Sequence, residues 1–262
     1  MIRISEIHLP LDQAEAPAQA LRSAACARLG LTDAQIERVD IHKRSFDARQ
    51  RELRATYIVD VALRAPSPMA VAAAETDVLA RSARKGSITA TPAMGWEPPA
   101  QFPRPAEGQQ PVVVGFGPCG LFAALCLAQM GLAPIVLERG KPVRERTQDT
   151  WGLWRRHVLD PESNVQFGEG GAGTFFDGKF YSQVRDPRHL GRKVLADFVA
   201  AGAPADILTE AHPHIGTFRL VKMVENLRAR ITALGGEIRF QHKVLALAVE
   251  PTGASGPRGV RA

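Results

Sequence analysis

Three glycines with the spacing Gly-x-Gly-x-x-Gly stand at Gly115, Gly117 and Gly120. In this pattern the first glycine permits a tight turn, the second lets the backbone approach a pyrophosphate, and the third lets a helix pack closely on a strand. Glu138 follows at about the 20-residue distance at which an acidic side chain accepts hydrogen bonds from ribose hydroxyl groups. The spacing predicts that the chain binds a dinucleotide.

The segments around these residues predict a strand, a helix and a second strand. Val112–Val114 is a short β-branched run, as in a buried parallel strand. Pro118 falls at a first helical position, where its missing N–H costs nothing, and Gly131 suits the left-handed end of the helix. Ile135–Leu137 then forms a strand that ends at Glu138. The helix N-terminus would offer unpaired N–H groups to phosphates; the alternative is a structural turn that binds nothing.

A second glycine-rich stretch covers residues 164–181 and reads NVQFGEGGAGTFFDGKFY. Its glycines are too dense for a helix or a flat strand, so the backbone can approach a planar ring or a pyrophosphate. It is not a P-loop, because no Gly-Lys-Ser/Thr sequence occurs there. Flanking Val165 and Phe167 favour an ordered loop over the alternative of a flexible surface loop.

The chain divides into two predicted domains of an α/β protein. Residues 1–95 are expected to form a small ferredoxin-like α+β domain of order β-α-β-β-α. Residues 96–110 form a proline-rich linker, and residues 111–262 form a Rossmann-like domain. The predicted elements after the opening strand are a helix at 16–29, strands at 36–44 and 53–63, helices at 68–84, 141–159, 188–201 and 218–234, and a long strand at 237–249.

Composition describes a globular protein with 45% hydrophobic and 23% charged residues and a net charge of +6. The three cysteines form no Cys-x-x-Cys pair, so neither a zinc centre nor a dithiol redox centre is expected. Their small, odd number is typical of a protein in a reducing cytosol. His212 and His214 lack a third nearby ligand, so no metal is expected. Because no apolar run is long enough to span a bilayer and no signal peptide opens the chain, we expect a cytoplasmic protein without a membrane partner.

Basic residues occur in two clusters. Those at 43–54 alternate with Asp40, Asp47 and Glu52, a pattern more typical of a solvated hairpin than of an RNA-binding surface, so a nucleic-acid partner is not expected. The arginines of the helix at 141–159 (Arg144, Arg146, Arg155 and Arg156) are predicted to be a solvated face, with phosphate neutralisation as the alternative.

Together these motifs resemble the bacterial uncharacterised NAD(P)/FAD-dependent oxidoreductases, or FAD-dependent dehydrogenases, of the flavoprotein group with two dinucleotide-binding domains. The resemblance covers nearly the whole chain. It rests on VVVGFGPCGLFAAL with the following ERG, on NVQFGEGGAGTFFDGKF, on PHIGT and on LGGEIRFQHKV. The GEGGAGT segment is the most specific of these.

The resemblance implies FAD as the cofactor, with NAD(P)H as a candidate electron donor. The ADP part would lie on the first glycine motif, with Glu138 on the ribose, Arg139 at the adenosine edge and the second glycine loop near the flavin. The backbone of Val244 would meet the adenine. The implied cofactor-binding residues are Gly115, Gly117, Pro118, Gly120, Glu138, Arg139, Gly170, Gly171, Thr174 and Val244.

The resemblance therefore predicts an oxidoreductase in which the flavin transfers a hydride. It names no catalytic residue, substrate or oligomeric state; Asp177, Lys179 and Tyr181 are candidate polar contacts of the flavin. The chain departs from the family at Phe176 and Phe218, where serine and aspartate are usual, and it ends earlier than family members, which predicts an incomplete, C-terminally truncated Rossmann-like domain. The alternatives are an RNA-associated flavoprotein and a truncated non-catalytic remnant.

Overall fold

The computed structural model describes residues 1–49, 51–82, 86–99, 109–175, 185–249 and 260–261. They form a mixed α/β protein of two compact units. The first unit comprises the described residues of Met1–Gly95, Phe180–Leu195 and Ala205–Pro213, and the second those of Trp96–Lys179, Ala196–Pro204 and His214–Ala262. The first contains an antiparallel sheet and the second a parallel one. The division of the chain into residues 1–95, 96–110 and 111–262 stays a prediction.

The sheet of the first unit has the strand order β2-β3-β1-β4. Its strands are β1 (Ile2–Pro10), β2 (Ile36–Asp47), β3 (Arg54–Leu63) and β4 (Ile88–Ala90), and each pairs antiparallel with its neighbours. The helices of this part are α1 (Leu11–Ala14), α2 (Ala18–Leu29) and α3 (Pro68–Ser82). Strand β4 was not predicted, because only Ile88 of its three residues carries a large apolar side chain.

Alternation along the strands builds the core of the first unit. Ile2 and Ile4 of β1 pack with Tyr57 and Val59 of β3, and all four are fully buried. Helix α2 adds the stripe Leu21, Ala25 and Leu29, spaced by four residues as one helix face requires. The chain leaves α2 at Gly30, whose φ of +66° is the left-handed conformation that favours glycine.

The sheet of the second unit has the order β5-β6-β7, and both pairs are parallel. Its elements are β5 (Val112–Val114), α4 (Pro118–Gln129), β6 (Ile135–Glu138), α5 (Val143–Arg156), α6 (Leu190–Ala200, which begins in the first unit), α7 (Thr217–Ala233) and β7 (Glu237–Phe240). The predicted strand-helix-strand order at 112–138 is confirmed. So is the buried stripe of α7, formed by Leu220, Val224, Leu227 and Ile231.

The predicted long strand at 237–249 is wrong. Strand β7 ends at Phe240, because Gln241 adopts a φ of +59° and turns the chain. The amides of Gln241 and His242 then donate to the carbonyls of Gly140 and Glu138, so the chain crosses the end of β6. Residues 242–247 form no strand, and the short β8 (Ala248–Val249) pairs instead with β9 (Val260–Arg261). For the other predicted helices and strands, each predicted end lies within three residues of the observed end wherever the structure describes those residues.

In the described part of the chain, no helix combines the length and the apolar character needed to cross a membrane.

Candidate functional site

The first glycine motif forms the turn between β5 and α4. Gly115 has a φ of +90° and donates its N–H to the carbonyl of Leu137 at 2.8 Å. Gly117 precedes the helix with a φ of −74°, no side chain caps it, and Pro118 follows at the first helical position. A Cβ atom on Gly120 would lie 1.9 Å from the carbonyl oxygen of Gly115. The third glycine is therefore required for the close approach of helix and strand.

Glu138 binds this turn to the end of β6. Its carboxylate accepts hydrogen bonds from the amide of Phe116 at 2.6 Å and from the amide of Gly140 at 2.8 Å. The side chain is only 4% exposed. A carboxylate has about four acceptor positions, so two amide bonds leave capacity for a ligand hydroxyl. Glu138 thus has a structural role in addition to the predicted one.

We expect Glu138→Gln to lower the free energy of unfolding by about 1–3 kcal/mol. The glutamine has one acceptor oxygen, so its NH₂ group would face one of the two amide donors and leave it unpaired. Urea unfolding would measure the change, with the exposed Glu145→Gln as a matched control in which no buried bond is lost. An unchanged unfolding midpoint for Glu138→Gln would contradict the structural role.

The second glycine loop packs directly on the first glycine turn. Gly168, Glu169 and Gly170 are buried, so the alternative of a flexible surface loop is wrong for this part of the stretch. The amide of Gly170 donates to the carbonyl of Phe116 at 2.9 Å. A Cβ atom on Gly171 would lie 3.1 Å from the Cα of Gly117. The two glycine segments thus form one wall, while Phe176, Asp177, Lys179 and Tyr181 lie outside the described residues.

Arg146 holds the second glycine loop in place. The side chain is fully buried, and its guanidinium donates to the carbonyl oxygens of Asn164, Val165, Glu169 and Gly171 at 2.6–2.8 Å. The prediction of a solvated face is therefore wrong for Arg146. Burial lowers the pKa of Arg146 to about 10, although the nearby carboxylates of Glu138 and Glu169 oppose that shift. The guanidinium remains charged at neutral pH.

Glu169 is the buried acid of the same loop. Its Oε2 accepts from the amide of Val143 at 2.7 Å and from Arg228 at 2.9 Å, while Oε1 has no hydrogen-bond partner among the described residues. Desolvation raises the pKa of Glu169, and these hydrogen-bond donors offset only part of that rise. The loop is therefore bound through side chains from both α5 and α7.

A cavity of about 340 Å³, the strand-end cavity, opens at the carboxyl ends of β5, β6 and β7. Of the residues predicted to bind the cofactor, six line it: Gly115, Gly117, Glu138, Arg139, Gly171 and Val244. The other four support this wall. Pro118 and Gly120 belong to the first glycine turn, and Thr174 is buried against Gly170.

Two cations at the edge of the strand-end cavity share one carboxylate. Glu162 accepts from Arg139 Nε and from Lys243 Nζ, each at 2.7 Å, and these donors lower the pKa of its carboxyl. The guanidinium of Arg139 also stacks on the ring of Phe167, with Cζ 3.9 Å from the centroid. Lys243 and Phe167, which sequence reasoning missed, bring a positive charge and an aromatic face to the cavity. The only signal for Lys243 was its position next to Val244.

A second cavity of about 300 Å³, the β2–α6 cavity, lies within the first unit. Its walls include His42 and Lys43 of β2, Gly191 and Arg192 of α6, and the segment 207–213. Sequence reasoning missed this cavity, because its walls come from segments that are far apart in the chain, such as His42 of β2 and Arg192 of α6.

His42 lies in the wall of the β2–α6 cavity, and its pKa is lowered to about 4. Desolvation is the main cause. The charges of Arg3 and Arg192 and, more weakly, His189 also oppose protonation, whereas the carboxylate of Asp60, 3.9 Å away, favours it. The folded protein therefore keeps this ring neutral at pH values at which an unfolded chain protonates it.

The stability of the protein should fall between pH 6.5 and about pH 4 because of His42. In that range the unfolded chain takes up a proton that the folded ring does not, so the free energy of unfolding decreases by up to about 3 kcal/mol as the pH falls. Above pH 6.5 the ring contributes no pH dependence. Urea unfolding at pH 7 and pH 5 should show a smaller difference for His42→Gln than for the wild type, and equal differences would contradict the shift.

Among the described residues, no group of three or more histidine, cysteine or acidic side chains could hold a metal ion. None of the three cysteines forms a disulfide bond with another described residue, and Cys119 is exposed at the start of α4. Phe218, one of the departures from the family pattern, is 94% exposed.

Two comparisons relate the chain to known proteins. Residues 1–62 match the family described as Domain of unknown function (DUF8436). An uncharacterized protein of Clostridium beijerinckii is 39% identical over 244 residues, which cover 93% of this chain and 43% of that relative. The chain thus spans less than half the length of the curated relative that it matches. Neither description names an activity, so a function has to be argued from the geometry of the site.

Proposed function

We propose that the second unit binds FAD at the strand-end cavity and that the protein is an FAD-dependent oxidoreductase, a dehydrogenase. The observation that carries this proposal is the wall made by two glycine segments. Gly117 and Gly171 both line the cavity, and their backbones lie so close together that a Cβ atom on Gly171 would lie only 3.1 Å from the Cα of Gly117. A pyrophosphate can approach the backbone closely at glycine residues, because no side chain blocks its way.

The strand-end cavity would hold the ADP half of FAD. Its volume of about 340 Å³ is at the lower end of the range of small-molecule sites, roughly 300–1,000 Å³. The pyrophosphate would lie at the N-terminus of α4, where the N-cap residue Gly117 provides no side-chain cap for the first helical N–H groups. The carboxylate of Glu138, which can accept further hydrogen bonds, would bind the hydroxyl groups of the ribose. Arg139, Phe167 and the backbone of Val244 would surround the adenine.

When bound, the flavin supplies the hydride chemistry. The residues of this chain bind and orient the ADP half, and Arg146 keeps the second glycine loop rigid by holding its carbonyl groups. NAD(P)H is the proposed electron donor; no residue is proposed as a catalyst. A cytoplasmic location, which the cysteine content suggests, is part of the same proposal.

The topology supports two finer fold assignments within this proposal. In the first unit, the strand order β2-β3-β1-β4 with α2 and α3 in the connections fits a ferredoxin-like fold. In the second unit, the parallel order β5-β6-β7 with α4 between the first two strands fits one half of a Rossmann-like domain.

Cofactor analysis of the purified protein tests the proposal. We expect the absorbance band of oxidised flavin, release of FAD rather than FMN on denaturation, and rebinding of FAD and ADP by the stripped protein in calorimetry. NADH and NADPH should then bleach the flavin band of the FAD-loaded protein. Failure to bind FAD or ADP at the strand-end cavity would overturn the proposal, and binding without bleaching would remove NAD(P)H as the donor.

A further inference from the structure

We propose that the β2–α6 cavity of the first unit is a binding site for a small molecule that carries an oxyanion, either a phosphate monoester or a carboxylate. This inference is independent of FAD binding, because the cavity is formed wholly by residues of the first unit. Its volume of about 300 Å³ exceeds that of a single inorganic anion, so an organic body would accompany the charged group. Met94, Leu195, Ile207 and Pro213 give that body apolar contacts.

The acidic side chains in the cavity wall already have partners. Asp186 accepts from the amides of Leu190 and Gly191 at 3.0 and 2.7 Å and so caps α6. Glu210 accepts from Arg44, whose Nε lies 2.8 Å away. Both carboxylates therefore already have hydrogen-bond donors within the protein.

The cationic side chains Arg192 and Lys43 in the wall have no carboxylate partner among the described residues. Arg192 donates one N–H to the carbonyl of Leu208, and the described contacts use none of its other four donors. No described carboxylate lies within ion-pairing distance of Arg192 or Lys43. Burial and the charge of Arg3 lower the pKa of Arg192, while the carboxylate of Asp60 opposes that shift. An incoming oxyanion would supply the missing counter-charge.

His42 adds a neutral polar side chain to the cavity wall. Its Nδ1 is buried without a hydrogen-bond partner among the described residues and lies 3.9 Å from Asp60 Oδ2, so this atom faces the protein. The nearest carboxylate, Asp60, is committed to a two-bond pair with Arg3 at 2.8 Å and to Thr91 at 3.0 Å. A neutral imidazole beside two guanidinium groups is suited to donate a hydrogen bond to an anion rather than to bind a cation.

Calorimetric titration of the full chain at constant ionic strength tests this site. The probes are inorganic phosphate, glucose 6-phosphate and succinate, with chloride as the reference anion. We expect saturable binding of glucose 6-phosphate or succinate, and which of the two binds more tightly identifies the oxyanion. Arg192→Gln and Lys43→Gln should each weaken that binding at least about tenfold, which corresponds to the loss of one charge-assisted contact.

The matched control is Arg81→Gln, which removes one positive charge at an exposed ion pair with Asp77 in the same unit. It should leave the affinity unchanged. Lys43 is exposed, so its replacement tests the site even if Arg192→Gln fails to fold. The proposal is overturned if neither organic probe binds saturably, if Arg81→Gln weakens binding as much as Lys43→Gln, or if an RNA oligonucleotide alone binds in a Lys43-dependent manner.

Discussion

Replacement of Arg146 by methionine is expected to lower the free energy of unfolding by about 3–5 kcal/mol. The change leaves the carbonyl groups of Asn164, Val165, Glu169 and Gly171 without the donor that now satisfies them. Methionine fills a similar volume, so the loss reflects hydrogen bonds and charge rather than a cavity. Because this loop lines the strand-end cavity, binding of FAD and ADP should be lost as well.

Urea unfolding of three variants measures the effect. Arg146→Lys should recover only a small part of the stability, because one ammonium group cannot reach carbonyl groups that a planar guanidinium contacts on several sides. Arg144→Met is the matched control, since Arg144 lies two residues before Arg146 on the same helix and its exposed side chain pairs with Glu225. It should have little effect. Equal destabilisation by Arg144→Met and Arg146→Met would refute the role of Arg146.

Gly120→Ala is expected to destabilise the second unit by about 3 kcal/mol or more. The new methyl group would lie 1.9 Å from the carbonyl oxygen of Gly115 and 2.9 Å from its carbonyl carbon. Backbone atoms cannot rotate away as a side chain can, so α4 would have to move off β5. Thermal and urea unfolding would both report this loss.

Gly117→Ala separates ligand binding from folding in the same turn. Its methyl group would lie 3.8 Å from the Cα of Gly171, which is ordinary contact, and the φ of −74° suits any residue. Stability should therefore stay close to that of the wild type. Affinity for ADP and FAD should fall at least about tenfold, because the methyl group occupies the place where the pyrophosphate approaches the backbone. Wild-type affinity in Gly117→Ala would count against the proposed site.

Several features followed from local patterns in the sequence. The order of strand, helix and strand at 112–138 could be predicted, because the glycine spacing, Pro118 and the β-branched run all act on neighbouring residues. The buried stripe of α7 could be predicted from its helical periodicity alone. The strands of the first unit followed from alternation along β1 and β3.

Other features depended on distant contacts. Nothing in the sequence of α5 distinguishes Arg146 from Arg144, Arg155 and Arg156, because the carbonyl groups that bind it come from a loop about 20 residues further on. The end of β7 at Phe240 could not be predicted either, since the chain turns there to bond with Gly140 and Glu138. The apolar run at residues 244–247 belonged to the predicted strand at 237–249, yet Leu245 is 85% exposed.

The sequence by itself determined that one parallel strand ends at a glycine turn and that the adjacent parallel strand ends at an acidic residue. Both could be predicted because spacing and periodicity are local properties. Only the tertiary structure decided what the charged side chains do. It placed Arg146 under the second glycine loop, paired Glu138 with two backbone amides, and left Arg192 in the wall of the β2–α6 cavity without a carboxylate partner among the described residues. The physical reason is that the burial and pairing of a charge depend on groups brought together by folding.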